Sequence, residues 1–362
     1  MKRIILSLVA AVTILCGCNK SNQFKVTLNL ENADNQNVYL VKNLDGKKSV
    51  PVDTAVIVGN KAVLKADIDD PQAVYILVFK DAQKHKTLFP ENQDVDVTGD
   101  IDNDLYISAT GSATQNTYND YQKGCAPYLE SFASLEKAVY AAYETGDRLE
   151  YEEINDKMQK IWDEYHAYRL DFIKNTPDNY MVHYVLDEMK YDLELAQLKE
   201  LAEILTQESA YSKNIKSFIE QNKRVEVGQP FIDFTLQTID GEDVALAELI
   251  KNNKLTMVDF WASWCGPCRN ENPVVKAAYE KYNKKGLEII GVSIDKNEAM
   301  WLQAVGEDAL PYIQMRDTKG EVANDYVVLY IPSNFLYDQN GVMVAKNLRG
   351  ESLEEKLAEI LK

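Results

Sequence analysis

Histidine and cysteine, the side chains that hold zinc, are scarce in this 362-residue chain, at three and five. Two of the cysteines, Cys265 and Cys268, form a Cys-X-X-Cys pair. A structural zinc needs four ligands, and neither a second such pair nor a His-X-His lies nearby, so no metal is expected there. Long apolar runs are few as well. The run Ile4–Leu15 is too short to cross a bilayer, and no other stretch is long enough. Lys and Arg total 39 against 57 Asp and Glu, a net charge of −18. Such a surface repels phosphate backbones, so nucleic acid is not an expected partner, and the acidity otherwise reads as a solubility feature. No tandem repeat, low-complexity tract, nicotinamide site or flavin site is visible.

What is present begins with an address. Lys2 and Arg3 precede the apolar run, and Leu15-Cys16-Gly17-Cys18 closes it with small residues before a cysteine. Residues 1–17 therefore read as a cleaved signal peptide. Leu-X-Gly-Cys resembles the bacterial lipobox. That resemblance implies lipidation of Cys18 as the first mature residue, with several acyl chains holding it to a membrane. Plain secretion is the alternative. Cys125, Cys265 and Cys268 then remain, and one pair with one odd thiol is no disulfide scaffold for an exported protein. Disulfide chemistry is expected to be an activity here. Cys125 is expected to be a buried structural thiol.

Three further segments follow. Residues 18–111 alternate apolar and polar side chains over Phe24–Leu30, with strand-like runs at Val38–Val41, Val52–Val58, Lys61–Ile68, Val74–Phe79 and Val95–Thr98. Gly59-Asn60 signals a hairpin, and the set suggests a small antiparallel sandwich-like module. Residues 112–224 turn helical. Glu150–Lys174 carries a stripe of Ile154, Met158, Ile161, Tyr165, Tyr168 and Phe172, and shorter helices are expected at Tyr180–Met189, Leu193–Leu205 and Tyr211–Ile219. Twelve of the chain's 21 tyrosines fall in this segment, and half-buried helix packing explains them better than a contact surface does. Residues 225–362 alternate strands and helices, the pattern of a mainly parallel α/β sheet. Strands are expected at Phe231–Leu236, Leu255–Trp261, Leu287–Ile294 and Tyr312–Met315, then a hairpin of Asn334–Tyr337 and Val342–Lys346 around Asn340-Gly341. Helices are expected at Cys265–Lys284, Asn297–Val305 and Ser352–Leu361.

The chemistry concentrates in Val258-Asp-Phe-Trp-Ala-Ser-Trp-Cys-Gly-Pro-Cys268. A sulfur at a helix N-terminus faces unpaired N–H groups and the positive end of the helix dipole, which favours the thiolate. Cys265 is accordingly the expected nucleophile, and Cys268, one turn in and buried, the resolving thiol. Gly266 and Pro267 suit the first turn, where proline's missing N–H costs nothing. Asp259 interrupts an apolar buried strand, so burial should raise its pKa and fit it to accept the proton of the resolving thiol. Glu271, three residues beyond Cys268 on the same helical face, is a candidate second proton carrier, although a carboxylate there also suits the dipole. Ile331-Pro332 precedes a strand, where a cis bond is one way to make the turn.

These residues carry a resemblance. VDFWASWCGPC looks like the active-site strand and turn of thioredoxins, and the chain from Val225 resembles the TlpA/ResA-like, membrane-anchored thiol–disulfide oxidoreductases. Gly228–Phe234, Glu271-Asn-Pro273, Tyr330-Ile-Pro332 and Asp338–Gly341 extend the match, with Ser333 where many relatives have Thr. The resemblance implies a thioredoxin fold for 225–362 and a cis bond at Pro332. It also implies client binding around Trp264, Gly266, Pro267, Ile331 and Pro332. Asp259 matches the buried aspartate of thioredoxins, and Glu271 the active-site glutamate of the ResA-like group. The expected function is a lipid-anchored periplasmic oxidoreductase that reduces disulfides of exported clients, with no cofactor beyond its own redox disulfide. Cytochrome c maturation or thiol repair is the expected setting, and an inner-membrane electron donor is implied. Isomerase or oxidase action, and a binding or assembly lipoprotein that docks through this domain, are the alternatives. A peroxidase would need a lone cysteine in a Pro-X-X-X-Thr-X-X-Cys setting, which is absent.

Overall fold

The computed structural model describes residues 23–44, 46, 48–67, 70–79, 84–91, 93–103 and 107–362. The signal-peptide and Cys18 assignments lie outside the described residues. The chain divides into two compact units. One runs to Asp187 and includes Ile204–Ser212; the other comprises Glu188–Glu203 and Lys213–Lys362.

The first unit opens with β1 (Gln23–Glu31), β2 (Asn37–Asn43), β3 (Ser49–Val56), β4 (Lys61–Asp67), β5 (Val74–Phe79), β6 (Lys84–Leu88), β7 (Val95–Asp100) and β8 (Ser108–Thr110). They form two four-stranded sheets, ordered β4-β1-β7-β8 and β3-β2-β5-β6. Strict alternation along β1 turns Phe24, Val26, Leu28 and Leu30 inward. Those side chains share one core with Val38, Leu40, Tyr75, Leu77 and Phe79 of the other sheet. Two expectations need correction. The module is not purely antiparallel, because β1 and β7 pair in parallel. The chain leaves for the second sheet between them, and that long excursion allows a parallel return. Gly59-Asn60 does make a tight turn with both φ values positive and a Val58–Lys61 bridge, but β3 and β4 then enter different sheets. β6, reading Lys-His-Lys-Thr-Leu, and the three-residue β8 lack the alternation that marks a strand in sequence.

A helical hairpin follows, of α1 (Ala113–Thr145) and α2 (Arg148–Asn175). Ser112 caps the first helix by accepting the Gln115 N–H, Gly146 ends it in the left-handed region, and Asp147 caps the second by accepting the Glu150 N–H. Aromatic rings knit the pair, with Tyr121 against Tyr168 and Phe172, Tyr128 against Tyr165 and Tyr168, and Phe132 against Trp162. The tyrosines thus largely pack, although Tyr140 and Tyr143 near the hairpin tip are exposed. Cys125 is buried in this stack, and burial pushes its thiol up. Further on, in α3 (Tyr180–Met189), His183 lies 2.6 Å from Asp178 and 2.8 Å from Ser209. Ser209 also accepts the Ser212 N–H, and Asp178 the N–H groups of Thr206 and Gln207. The trio fastens a turn and presents no free nucleophile.

In the second unit, α4 (Leu195–Ala202) and most of α5 (Ala210–Lys223) precede β9 (Thr235–Gln237), β10 (Asp243–Ala245), α6 (Leu246–Asn252), β11 (Leu255–Trp261) and α7 (Gly266–Tyr282). Then come β12 (Leu287–Ser293), α8 (Glu298–Asp308), β13 (Ile313–Arg316), α9 (Glu321–Asp325), β14 (Ser333–Asp338), β15 (Met343–Lys346) and α10 (Glu351–Ile360). A five-stranded sheet has the order β13-β12-β11-β14-β15, with β11, β12 and β13 parallel and β14 and β15 antiparallel to their neighbours. One face packs Leu255, Met257 and Trp261 under α7, α8 and α10; the other packs Val258 and Phe260 against Leu246, Ile250 and Tyr326. The expected strand Phe231–Leu236 shrinks to β9. Phe231 N–H instead bonds to Gly341, and its ring covers that glycine so closely that a Cβ would sit 2.5 Å from it.

Gly124 on α1 faces the Tyr168 ring, whose oxygen would lie 1.9 Å from a Cβ there. Gly124→Ala should therefore destabilise the hairpin by about 1–3 kcal/mol, despite alanine's better helix propensity. Thermal unfolding followed by circular dichroism checks this, and an unchanged or raised melting temperature would contradict the packing described.

Candidate active site

The seven residues of β11 are all buried, so the strand delivers its C-terminal end, and the turn beyond it, to one fixed place. Ser263 in that turn is held through its N–H and hydroxyl by Asp295, at 2.8 and 2.7 Å. Asp295 is itself buried and accepts the Ser293 hydroxyl. Cys265 N–H closes the turn on Ala262 at 3.1 Å. The chain then enters α7 with Cys265 as the N-cap, its Sγ accepting the Cys268 N–H at 3.2 Å. Cys265 and Cys268 are disulfide-bonded. Both sulfurs are largely sheltered, Cys265 being 6% and Cys268 1% exposed, while Trp264 beside them is 62% exposed and Gly266 and Pro267 face solvent.

A cation near the cysteines would bias the thiolate, but Arg269, whose Nη1 also donates to the Ser263 carbonyl of the turn at 3.3 Å, is ion-paired with carboxylates. It makes a two-point contact with Asp308 at 2.6 and 2.8 Å and a third to Glu307 at 2.9 Å. Asn272 joins the same carboxylate, and together they lock α7 to the end of α8. The electrostatic bias at Cys265 therefore comes from the helix N-terminus itself.

Side chains alternate along β11, so Asp259 points to the face that carries Met257 and Trp261, beneath α7 and both cysteines. It is 4% exposed. Burial pushes its carboxyl up to about 7, with Arg349 pulling it down and Glu271 pushing it further up. A group titrating there can exchange a proton near neutral pH. Glu271 is half-buried and accepts the Gly350 N–H at 2.8 Å. Opposite, the Ile331–Pro332 bond is cis, and the Ile331 carbonyl lies 3.7 Å from Cys265 Sγ. Tyr330 immediately before it is 64% exposed. Cys265, Cys268, Asp259, Glu271, Ile331 and Pro332 thus converge on one end of the sheet.

Four polar participants carry no mark in the sequence. Asp295 anchors the turn. Asn334, the β14 neighbour of Asp259, both accepts the Leu348 N–H and donates to the Leu348 carbonyl. Gln314 is buried over Gly291, the β12 neighbour of Asp259, where a Cβ would come within 2.5 Å of its oxygen. Arg349 reaches the Pro332 carbonyl. Strand register brings Asn334 and Gln314 alongside Asp259, and the loop after β15 brings Arg349; a single sequence displays neither.

Residues 227–346 match the AhpC/TSA family, and residues 24–118 match a domain of unknown function, DUF4369. The thiol-disulfide oxidoreductase ResA of Bacillus cereus is 29% identical over 147 residues, covering 41% of this chain and 83% of the relative. ResA of Oceanobacillus iheyensis is 34% identical over 131 residues, covering 35% of this chain and 67% of the relative. Among solved structures, the thioredoxin domain of a thiol-disulfide oxidoreductase from Bacteroides vulgatus is 30% identical with a TM-score of 0.36. That match spans 38% of this chain and 99% of the other.

The carboxyl of Asp259 makes a stability prediction with a definite sign. Between 3.8 and about 7 the folded chain keeps a proton that the unfolded chain has released, so stability falls as pH rises through that window. Asp259→Asn should flatten this fall in the oxidised protein and exceed wild type by on the order of 2–4 kcal/mol above it. Melting temperatures across the window decide the matter, and parallel curves for the two proteins would refute it.

Proposed function

The chain belongs to the ResA-like thiol–disulfide oxidoreductases, and from that footing we propose that it is a lipid-anchored reductase of disulfides in exported proteins, held on the periplasmic side of the cell envelope through Cys18. In this reading the reduced Cys265 thiolate attacks one sulfur of a client disulfide. A mixed disulfide forms, and the second client sulfur leaves as a thiolate and takes up a proton. Cys268 passes its proton to Asp259 and attacks Cys265 Sγ. The Cys265–client bond breaks, the departing client sulfur takes up a proton so that the client leaves with two thiols, and the Cys265–Cys268 disulfide remains. Two electrons have moved from the pair to the client, and a dithiol donor at the inner membrane returns them.

One observation carries the proposal: Cys265 caps α7 with its sulfur on the Cys268 N–H, on the face of the sheet where buried Asp259 can take a proton. Glu271 serves as a second proton carrier. Trp264, Gly266, Pro267, Ile331 and Pro332 form the client-binding edge, an assignment supported by the exposure of Trp264, Gly266 and Pro267. The reaction draws on no cofactor beyond the redox disulfide, and nucleic acid is not a partner. The β-rich module reads as a two-sheet sandwich, supported by the single core its sheets share.

The reduced full chain should reduce insulin disulfides, and Cys265→Ser should bring turnover to background, read as precipitation of the freed chains. Turnover that survives the substitution overturns the reading. Rapid peroxide consumption without insulin reduction would make the chain a peroxidase instead. Expressed with its leader, the protein should fractionate with membranes, and Cys18→Ala should release it; membrane retention of that variant would contradict the anchor.

A further inference from the structure

Three segments meet at Arg349. Its Nη1 donates to the Leu348 carbonyl at 2.7 Å and its Nη2 to the Pro332 carbonyl. The residue after it, Gly350, has φ 49° and ψ −126°, a conformation that glycine alone adopts without strain. That conformation aims the Gly350 N–H at Glu271, 2.8 Å away. The same loop is pinned to β14 by three bonds to Asn334: from Asn347 N–H at 2.7 Å, from Leu348 N–H at 2.9 Å, and to the Leu348 carbonyl at 2.8 Å. Asn334 is the cross-strand partner of Asp259. One short loop, 347–350, therefore touches the Pro332 segment, the strand beside Asp259, and Glu271 on α7.

We propose that Arg349 is a positioning residue of the exchange reaction, tying the client-pairing segment at Ile331–Pro332 to the two carboxyl groups, Asp259 and Glu271, that lie near the resolving thiol. Its fork suits the task. A guanidinium can span two carbonyls in fixed geometry and still present its charge sideways, whereas an ammonium on a flexible stem is a point donor. Among the described residues, the charged and titratable groups around Asp259 are few. Glu271 and the cysteines come from α7, Arg349 comes from the loop before α10, and Tyr312, just ahead of β13, has its phenol pushed up by burial and by Asp259. The neighbouring strands contribute the uncharged Asn334 and Gly291. Arg349 is the cation in this set, and it opposes the upward push that burial and Glu271 exert on Asp259.

The inference rests on the reductase reading, so its test separates the two. The pH dependence is read on the resolving step, release of the second aromatic thiol, in single-turnover oxidation of the reduced full chain by a small aromatic disulfide, which requires only the dithiol. KM is read with insulin. Without the cation Asp259 keeps its proton to higher pH, so R349Q should move the rising limb of the rate profile up by about one pH unit and raise the insulin KM by about tenfold. R349K keeps the charge and loses the fork. Its limb should stay within about 0.3 pH unit of wild type, while its KM stays raised several-fold. A limb that does not move in R349Q overturns the coupling, whatever happens to KM. If near-ultraviolet circular dichroism shows R349Q unfolded, R349K decides, and an insulin KM within about twofold of wild type overturns the proposal. Should the wild type react with the small disulfide and not with insulin, the reductase reading fails while the pH limb still reports on Arg349.

Discussion

Strand β11 is bonded along one edge to β12 and along the other to β14, and every one of its residues is buried. A strand enclosed on both faces and both edges has nowhere to slide, because a one-residue slip would exchange its two core faces. Its end is therefore held in one place. The turn it feeds, Ala262–Cys265, inherits that rigidity, and Asp295 adds a polar clamp from the neighbouring strand end. A cysteine placed there has its sulfur fixed at the first turn of α7 with little freedom to move away from the Cys268 N–H.

The same enclosure explains the chemistry of Asp259. In an apolar slot a carboxylate is costly, and the chain meets that cost by keeping the proton up to about neutral pH. The residue is thermodynamically poor and chemically useful for one reason: its charged form is only marginally favoured under the conditions in which thiols exchange. Polar neighbours are recruited around it as the sheet permits. Asn334 occupies the adjacent strand, Gln314 lies over Gly291, and Glu271 looks down from α7. A second arginine, Arg269 on α7, is held by two carboxylates at the end of α8, so it serves to fix the helix.

Much of this was legible in the sequence, and the boundary of legibility is physical. The apolar run of β11, the cysteine and proline at the start of α7, and the lone carboxylate inside the strand are local signals, readable from residue type and spacing. The α/β order of the second unit and the alternation of β1 were readable for the same reason. Four things were not. The parallel pairing of β1 with β7 joins segments some seventy residues apart, and nothing in either strand records its partner's direction. β6 is polar enough to read as loop. The irregular lead-in at Phe231 satisfies its backbone on the β14–β15 hairpin rather than in a ladder of its own. Arg349, Asn334 and Gln314 acquire meaning only through register and through the loop that follows β15.

Direction of electron flow can be argued from the same geometry. Stabilising the Cys265 thiolate stabilises the reduced pair and makes the disulfide a stronger oxidant. The helix N-terminus does this, while the charge of Arg269 at the turn is offset by Glu307 and Asp308. Once Asp259 loses its proton, a buried negative charge under α7 opposes a second one on sulfur, which favours the disulfide and release of electrons to a client. Arg349 moderates that opposition without abolishing it, because Asp259 remains raised despite the guanidinium. A site built to oxidise would place its free cation beside the thiol. Here the cation sits beside the carboxyl groups, a placement consistent with the proposed reducing direction.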